Sequence, residues 1–305
     1  MHLRSSFYAL LVFLLTVGCA TRKSAATGAV GETAEVREDS TGLAARFPAE
    51  LSEISGVARV GEHYFLQNDS GSKPELFEID ATGDTLHTVY VRGVRNVDWE
   101  ELAVDENYLY IGEFGNNSGD RRDLGIYRIW LADLDRDTVS AAGFTPISYA
   151  AQTSFMTRPY LHGFDCEAMV NVGDSLYLFS KDHVDKRTQF FALSKTDSAA
   201  VLRARDSFDV RGTLSGAAYR PAGDGHGAEL ALLGYNFGLL KGFRPFVWLF
   251  TDFAGTDFFG GKAAYYELPF REQAEGIEFA PDGELMIATE ATVRGRGGWF
   301  RWRAE

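Results

Sequence analysis

One short pattern occurs five times along the chain: a polar residue, an apolar extended stretch, a turn, then a second apolar stretch that ends in polar residues. The openings are Ser55-Gly56-Val57, Glu100-Glu101-Leu102, Glu167-Ala168-Met169, Ser215-Gly216-Ala217 and Glu275-Gly276-Ile277. The first three align without a gap through second strands at 63–66, 108–111 and 175–178, and the fifth reaches 285–287 with one inserted residue. Such a repeat restricts the fold severely, because each unit is one supersecondary element that hides its apolar faces only against its neighbours. Successive openings stand 45, 67, 48 and 60 residues apart. Each interval holds four short strands, the unit of a propeller blade.

Further strands are expected at 75–80, 86–91, 125–131, 188–193, 246–251 and 263–268, where β-branched and aromatic residues gather between glycine and aspartate turn signals. No helical heptads interrupt them. After Glu275 there is room for only three strands, whereas 43–50 precedes the first opening and has no blade of its own. The economical solution is an all-β, five-bladed β-propeller whose last blade is closed by the N-terminal strand, leaving no free sheet end. Extra strands hidden at 101–166 and 216–274 would instead make a six-bladed propeller, and a two-sheet sandwich is a third arrangement.

In a propeller the first strand of each blade lines the axis, so Ser55, Glu100, Glu167, Ser215 and Glu275 are expected to converge. Three carboxylates in a narrow channel repel one another and are driven toward protonation unless a cation compensates them. A hard divalent ion with oxygen ligands, calcium (Ca2+) most naturally, answers that repulsion. The competing explanation is that these residues cap strand ends and bind channel water. Glu101 is the register alternative to Glu100, and strand alternation predicts that it turns to the opposite face.

The ends of the second strands supply Asn68, Asp69, Glu113, Lys181, Asp182, Asn236 and Glu290, a set suited to binding a polar ligand at one mouth of the channel. Turn formation is the competing role for Asn68 and Asp69. His183 beside Asp182, and His162 near Asp165, are weaker candidates for a general base. Arg121, Arg122 and Lys181 are the candidates for contact with an anionic group, and Trp99 and Trp248 are the aromatics that a glycan site at the mouth requires. No Walker loop, Gly-x-Ser-x-Gly elbow or His-Glu-x-x-His motif occurs in the sequence.

The first residues carry Arg4 and an apolar run of about ten residues, too short for a bilayer core that needs about 20. This reads as a signal peptide over residues 1–18. Leu15-Thr16-Val17-Gly18-Cys19 resembles a lipobox, which makes Cys19 the lipidation site and 19–42, small and polar without period, a tether to the propeller domain at 43–305. The expected setting is the bacterial cell envelope, lipid-anchored to a membrane, with the domain in the periplasm or at the cell surface. That leaves Cys166 as a lone thiol, expected to be buried and structural. The formal charge of -13 argues against nucleic acid as a partner. A polar small molecule or an envelope protein fits better, bound by a monomer.

The segments Glu53-Ile54-Ser55, Trp99-Glu100-Glu101-Leu102-Ala103-Val104 with Leu109-Tyr110-Ile111-Gly112, and Glu275-Gly276-Ile277-Glu278-Phe279 resemble the calcium-activated nucleotidases, or apyrases. That resemblance implies a five-bladed propeller with an axial calcium held by serines and glutamates in an order like the one found here. The family's Asp-Leu-Asp segment before the first blade is missing, and Glu113-Phe114-Gly115-Asn116-Asn117 replaces its basic and aromatic stretch. The Asn68-Asp69-Ser70-Gly71 and Phe114-Gly115-Asn116-Asn117 pattern is closer to bacterial propeller lipoproteins. Three functions are therefore expected to compete: a calcium-bearing propeller that binds a ligand or partner, a metal-dependent phosphohydrolase acting on nucleotides or related phosphate esters, and a glycan binder or other propeller hydrolase.

Overall fold

Most inner strands are runs of buried residues rather than alternations of apolar and polar ones, because a sheet covered on both sides hands successive side chains to two different cores. In the first blade Tyr64 and Leu66 pack toward one neighbouring blade, whereas Phe65 packs toward the other. The computed structural model describes residues 43–223, 225–292 and 297–304. The expected signal peptide, Cys19 and tether lie outside these residues. Among the described residues no helix is long and apolar enough to cross a membrane.

Five sheets form five blades of a β-propeller. Blade 1 contains Ile54–Val60, His63–Asn68, Glu75–Ile79 and Thr85–Arg92, and blade 2 contains Trp99–Val104, Tyr108–Glu113, Gly125–Trp130 and Gly143–Tyr149. Blade 3 follows with Asp165–Val172, Ser175–Lys181, Arg187–Ser194 and Asp206–Asp209, and blade 4 with Thr213–Arg220, Glu229–Gly238, Gly242–Thr251 and Lys262–Glu267. Blade 5 is built from Ala274–Phe279, Leu285–Thr289 and Gly298–Trp302, and its fourth strand is the N-terminal Leu43–Arg46. The expected closure is therefore the observed one: Leu43–Arg46 pairs antiparallel with Gly298–Trp302. Phe47 anchors it, its ring set edge-on to Trp299 at 5.1 Å.

The long interval between Glu100 and Glu167 hides no sixth blade. It contains Thr138–Ser140, which turns back and pairs in parallel with Thr85–Arg92 as a fifth strand of blade 1. In the same way Ala200–Leu202, from the stretch that builds blade 3, pairs in parallel with Gly143–Tyr149 of blade 2. The other long interval is filled by the extended hairpin of blade 4.

Core packing lies between blades. One cluster joins blades 5 and 1 around Phe47, Leu66 and Trp299, the next joins blades 1 and 2 around Phe65, Trp99 and Leu109, and three more complete the circle. Fully burying one such side chain contributes about 1.5–3 kcal/mol. The first strands of the five blades lie against one another in a closed ring around the axis.

Candidate functional site

Each opening of the repeat is a β-bulge. The pairing of the first strand with the second skips Ser55 with Gly56 in blade 1, Glu100 in blade 2, Glu167 in blade 3, Ser215 in blade 4 and Glu275 in blade 5. An extra residue left out of the ladder bends the strand and re-aims its side chain. The five polar openings thus occupy equivalent, bulged positions near one end of the axis.

The bulge alters what alternation predicts for Glu101. Its side chain does not turn to the opposite face of the strand but enters the channel, fully buried at 0 % exposure. There Oε1 accepts from the backbone N–H of Leu102 at 2.9 Å and of Val57 in blade 1 at 3.3 Å, and Oε2 accepts from the N–H of Ala217 in blade 4 at 3.1 Å. The equivalent positions in the other blades are Gly56, Ala168, Gly216 and Gly276. A Cβ on Gly56 would stand 2.8 Å from the Glu101 Cα. Four small residues leave room for one carboxyl, and it closes the channel. Burial holds the Glu101 pKa well above the carboxylate range, against the three N–H groups that favour its charge.

Outside this plug lies an acidic pit. Asp98 and Asp165 stand two residues before the bulges of blades 2 and 3, and the ends of the second strands bring in Asp69, Lys181, Tyr235 and Glu290 at equivalent positions. Asp69, Asp98 and Glu100 offer three carboxylate oxygens within 4.8 Å of one another. Ser55 Oγ lies 2.8 Å from the Glu100 carbonyl oxygen, to which it donates, and 3.1 Å from Glu100 Oε2. Ser215 likewise donates to the Ala274 carbonyl at 2.8 Å, so each serine braces its blade against the next. Glu275 accepts from Gln273 Nε2 at 2.6 Å.

Among the described residues Lys181 is the cation of the pit. Only 7 % exposed, it sits 2.9 Å from Glu167 Oε1. Burial works against its charge, but Glu167, Tyr235, Glu275 and Asp165 hold its pKa above the ordinary value. One ammonium does not neutralise so many acids. Burial, then the charges of Asp69 and Glu167, raise Asp98 to about 7. Burial raises Asp165 to about 7 and both Glu167 and Glu275 to about 8, despite Lys181. Glu290 is raised to about 9 by burial and then by Glu275. Asp165 accepts from the Asn116 N–H at 2.6 Å through one oxygen, and its buried second oxygen has no hydrogen-bond partner.

Several other candidates are occupied elsewhere. Asn68 bridges the Glu53 N–H and the Glu50 carbonyl, and Asp182 accepts from the N–H groups of Val184 and Asp185, so both shape turns. Glu113 is buried, accepts from the N–H groups of Val97 and Asp98, and pairs with Arg121 at 2.6 Å. The same guanidinium also bonds Gly115 and Asp123, and Arg122 stacks over Phe155 at 3.6 Å. Arg121 is thus engaged by Glu113, although its charge still acts on Asp98 at the edge of the pit. Asn236 pairs with Arg244 in the blade 4 hairpin, one residue beyond Tyr235. The hydroxyl pKa of Tyr235 is raised by burial and then by Glu275, which places it at the pit; the two-residue periodicity at the strand end was its available signal.

Burial and then Lys181 and Lys186 lower the His183 pKa to about 3, which makes it a weak base. His162 is held by the Asn117 carbonyl at 3.2 Å and the Phe164 N–H at 3.1 Å. Trp99 and Trp248 lie in the interblade cores, so neither of them serves as the aromatic of a glycan site at the mouth. Cys166 is buried, as expected, and burial pushes its thiol pKa up.

No protein-family profile matches the sequence, and no curated protein matches it significantly. Solved structures do. An endo-arabinase from Bacteroides thetaiotaomicron VPI-5482 superposes with a TM-score of 0.50 at 11 % identity, covering 85 % of this chain and 97 % of that one. A soluble aldose sugar dehydrogenase from Escherichia coli reaches 0.49 at 10 % identity, covering 86 % and 99 %. These are likenesses of fold alone, in keeping with the five blades of this chain.

Proposed function

We propose that the protein is a membrane-tethered propeller lipoprotein that binds calcium in the pit and uses the loaded mouth to bind a polar ligand or partner. The observation that carries this reading is the Asp69, Asp98 and Glu100 cluster. Oxygens around calcium lie about 2.3–2.6 Å from the ion, and hence no more than about 5 Å apart. Three oxygens within 4.8 Å fit one coordination sphere. The donors are all hard, and the pKa of Asp98 is raised by burial and then by the charges of Asp69 and Glu167, both of which a bound cation offsets.

This assignment sets the cation between blades 1 and 2, displaced from the fivefold ring that the repeat suggests. Lys181 supports the displacement, since its ammonium already serves Glu167 on the blade 3 side. Calorimetric titration of the purified protein with calcium is the test. Saturable uptake that is lost in Asp98→Asn and Glu100→Gln is the expected result, and no uptake by the unaltered protein removes the reading.

A second reading, a calcium-dependent phosphohydrolase, is favoured by one observation: Lys181 shares the pit with the candidate ligands. A bound metal supplies polarisation of a phosphoryl oxygen in such chemistry, and Lys181 would hold the phosphate charge. Phosphate release from a panel of nucleoside di- and triphosphates, with and without calcium, decides it; no calcium-dependent release eliminates it.

A further inference from the structure

The long hairpin of blade 4 continues past the pit. Tyr235 pairs with Pro245 at the level of the mouth, and the ladder then runs outward through Asn236 with Arg244, Phe237 with Phe243 and Gly238 with Gly242. The tip is Leu239-Leu240-Lys241. Turn tips ordinarily carry polar residues and glycine, yet Leu239 is 75 % exposed, Leu240 98 % and Phe237 55 %. Leu239 and Leu240 gain little from the folded chain, and a cluster of exposed apolar residues marks an interaction site.

The tip is firmly built. Phe243 packs against both Tyr235, at 5.2 Å, and Phe237, at 5.0 Å, which makes an unbroken aromatic ladder from pit to tip. At its base Arg244 donates to the Glu267 carboxylate through Nε and Nη2, at 2.6–2.9 Å. One hairpin therefore joins the apolar tip to the acidic pit.

We propose that this surface docks a protein segment in which a lysine or arginine is flanked by apolar residues, the basic side chain entering the pit beside Glu275 and Glu290 and the apolar flank lying on Phe237, Leu239 and Leu240. The inference rests on the reading of the mouth as a binding site and names its partner. Charge complementarity selects the basic group, because the crowded acids of the pit face a single ammonium among the described residues and an entering cation favours their charged forms. A lipid surface suits the tip less well: the net charge of -13 opposes anionic headgroups, and Lys241 is the single basic residue at the turn.

Selection of a displayed random-peptide library on the protein tests the proposal. The expected peptides carry a lysine or arginine next to apolar residues, and they bind at least tenfold more weakly to Leu239→Ser/Leu240→Ser and to Glu290→Gln. Both hairpin positions are exposed, so the double variant keeps the fold, and its calcium uptake is expected to equal that of the unaltered protein. Recovery of no peptides, of peptides without a basic residue, or of peptides indifferent to the hairpin variant overturns the proposal. Binding to phosphatidylglycerol vesicles that the hairpin variant abolishes overturns it too, by assigning the tip to a membrane. Calcium uptake is measured separately in each protein, so loss of the calcium reading and loss of the docking surface are distinguishable.

Discussion

Glu101 takes the N–H groups of Val57, Leu102 and Ala217, which lie on three strands of the ring, and so links blades 1, 2 and 4 across the axis. Replacing it by glutamine turns an acceptor into a donor that meets a backbone donor, and a buried group left unsatisfied costs about 1–3 kcal/mol. Glu101→Gln is therefore expected to lower the unfolding free energy by that amount, read as a lower urea midpoint. Glu100→Gln is the contrast: it removes one charge from a repelling cluster and, without calcium, leaves the midpoint unchanged or raised. Equal losses in the two variants would refute the assignment. Strand alternation misplaces Glu101 because it takes the strand to be regular. The corrective signal was in the sequence: after four of the openings the next residue is Gly56, Ala168, Gly216 or Gly276, and small residues in a shared position mark close approach.

The ring residues illustrate how far a repeat carries. Ser55, Glu100, Glu167, Ser215 and Glu275 were found by alignment and sit at equivalent bulges, but nothing local to them shows that Lys181 reaches Glu167 or that Asp69 and Asp98 join Glu100. Those groups come from strand ends and loops, whose positions depend on the register of the neighbouring blade.

At the scale of the element, the strands of each blade were readable because antiparallel neighbours leave turn residues between them. Thr138–Ser140 and Ala200–Leu202 were not, because each adds in parallel to the preceding blade and a parallel pairing leaves no hairpin signal. Sequence alone thus allowed a sixth blade at 101–166, where Thr138–Ser140 instead returns to blade 1, and at 216–274, which the long hairpin of blade 4 fills. Val139, buried between blades 1 and 2, fastens the first of the two short strands. The closing strand depends on Phe47 in the same way. Truncating a buried Phe to Ala costs about 3–5 kcal/mol, so Phe47→Ala is expected to destabilise the protein by that much and to free the outer edge of Gly298–Trp302. Chemical denaturation measures the loss, and size-exclusion chromatography should show self-association through the freed edge. A monomer of unaltered stability would mean that closure does not rest on this ring.

For the whole molecule, a channel plugged by Glu101 and flooded with acids at one end couples stability to pH and to cations. Asp98 and Asp165 titrate at about 7, Glu167 and Glu275 at about 8, and Glu290 at about 9, all above ordinary carboxylates. Between the unfolded values near 4 and these raised ones the folded chain holds protons that the unfolded chain has released. The folded state binds more protons across that window, so its stability is greatest at the acid end, falls as pH rises through about 5 to 9, and levels off beyond. Calcium reverses the sign of the charge problem, because the ion requires carboxylates and releases their protons. Melting temperatures in chelator are therefore expected to fall from pH 6 to pH 9, whereas saturating calcium flattens the profile and raises it most at the alkaline end. Calcium affinity should increase over the same interval. A chelated protein that grows more stable toward pH 9 would show that the pit is neutralised from within, and the case for a cation between blades 1 and 2 would fall with it.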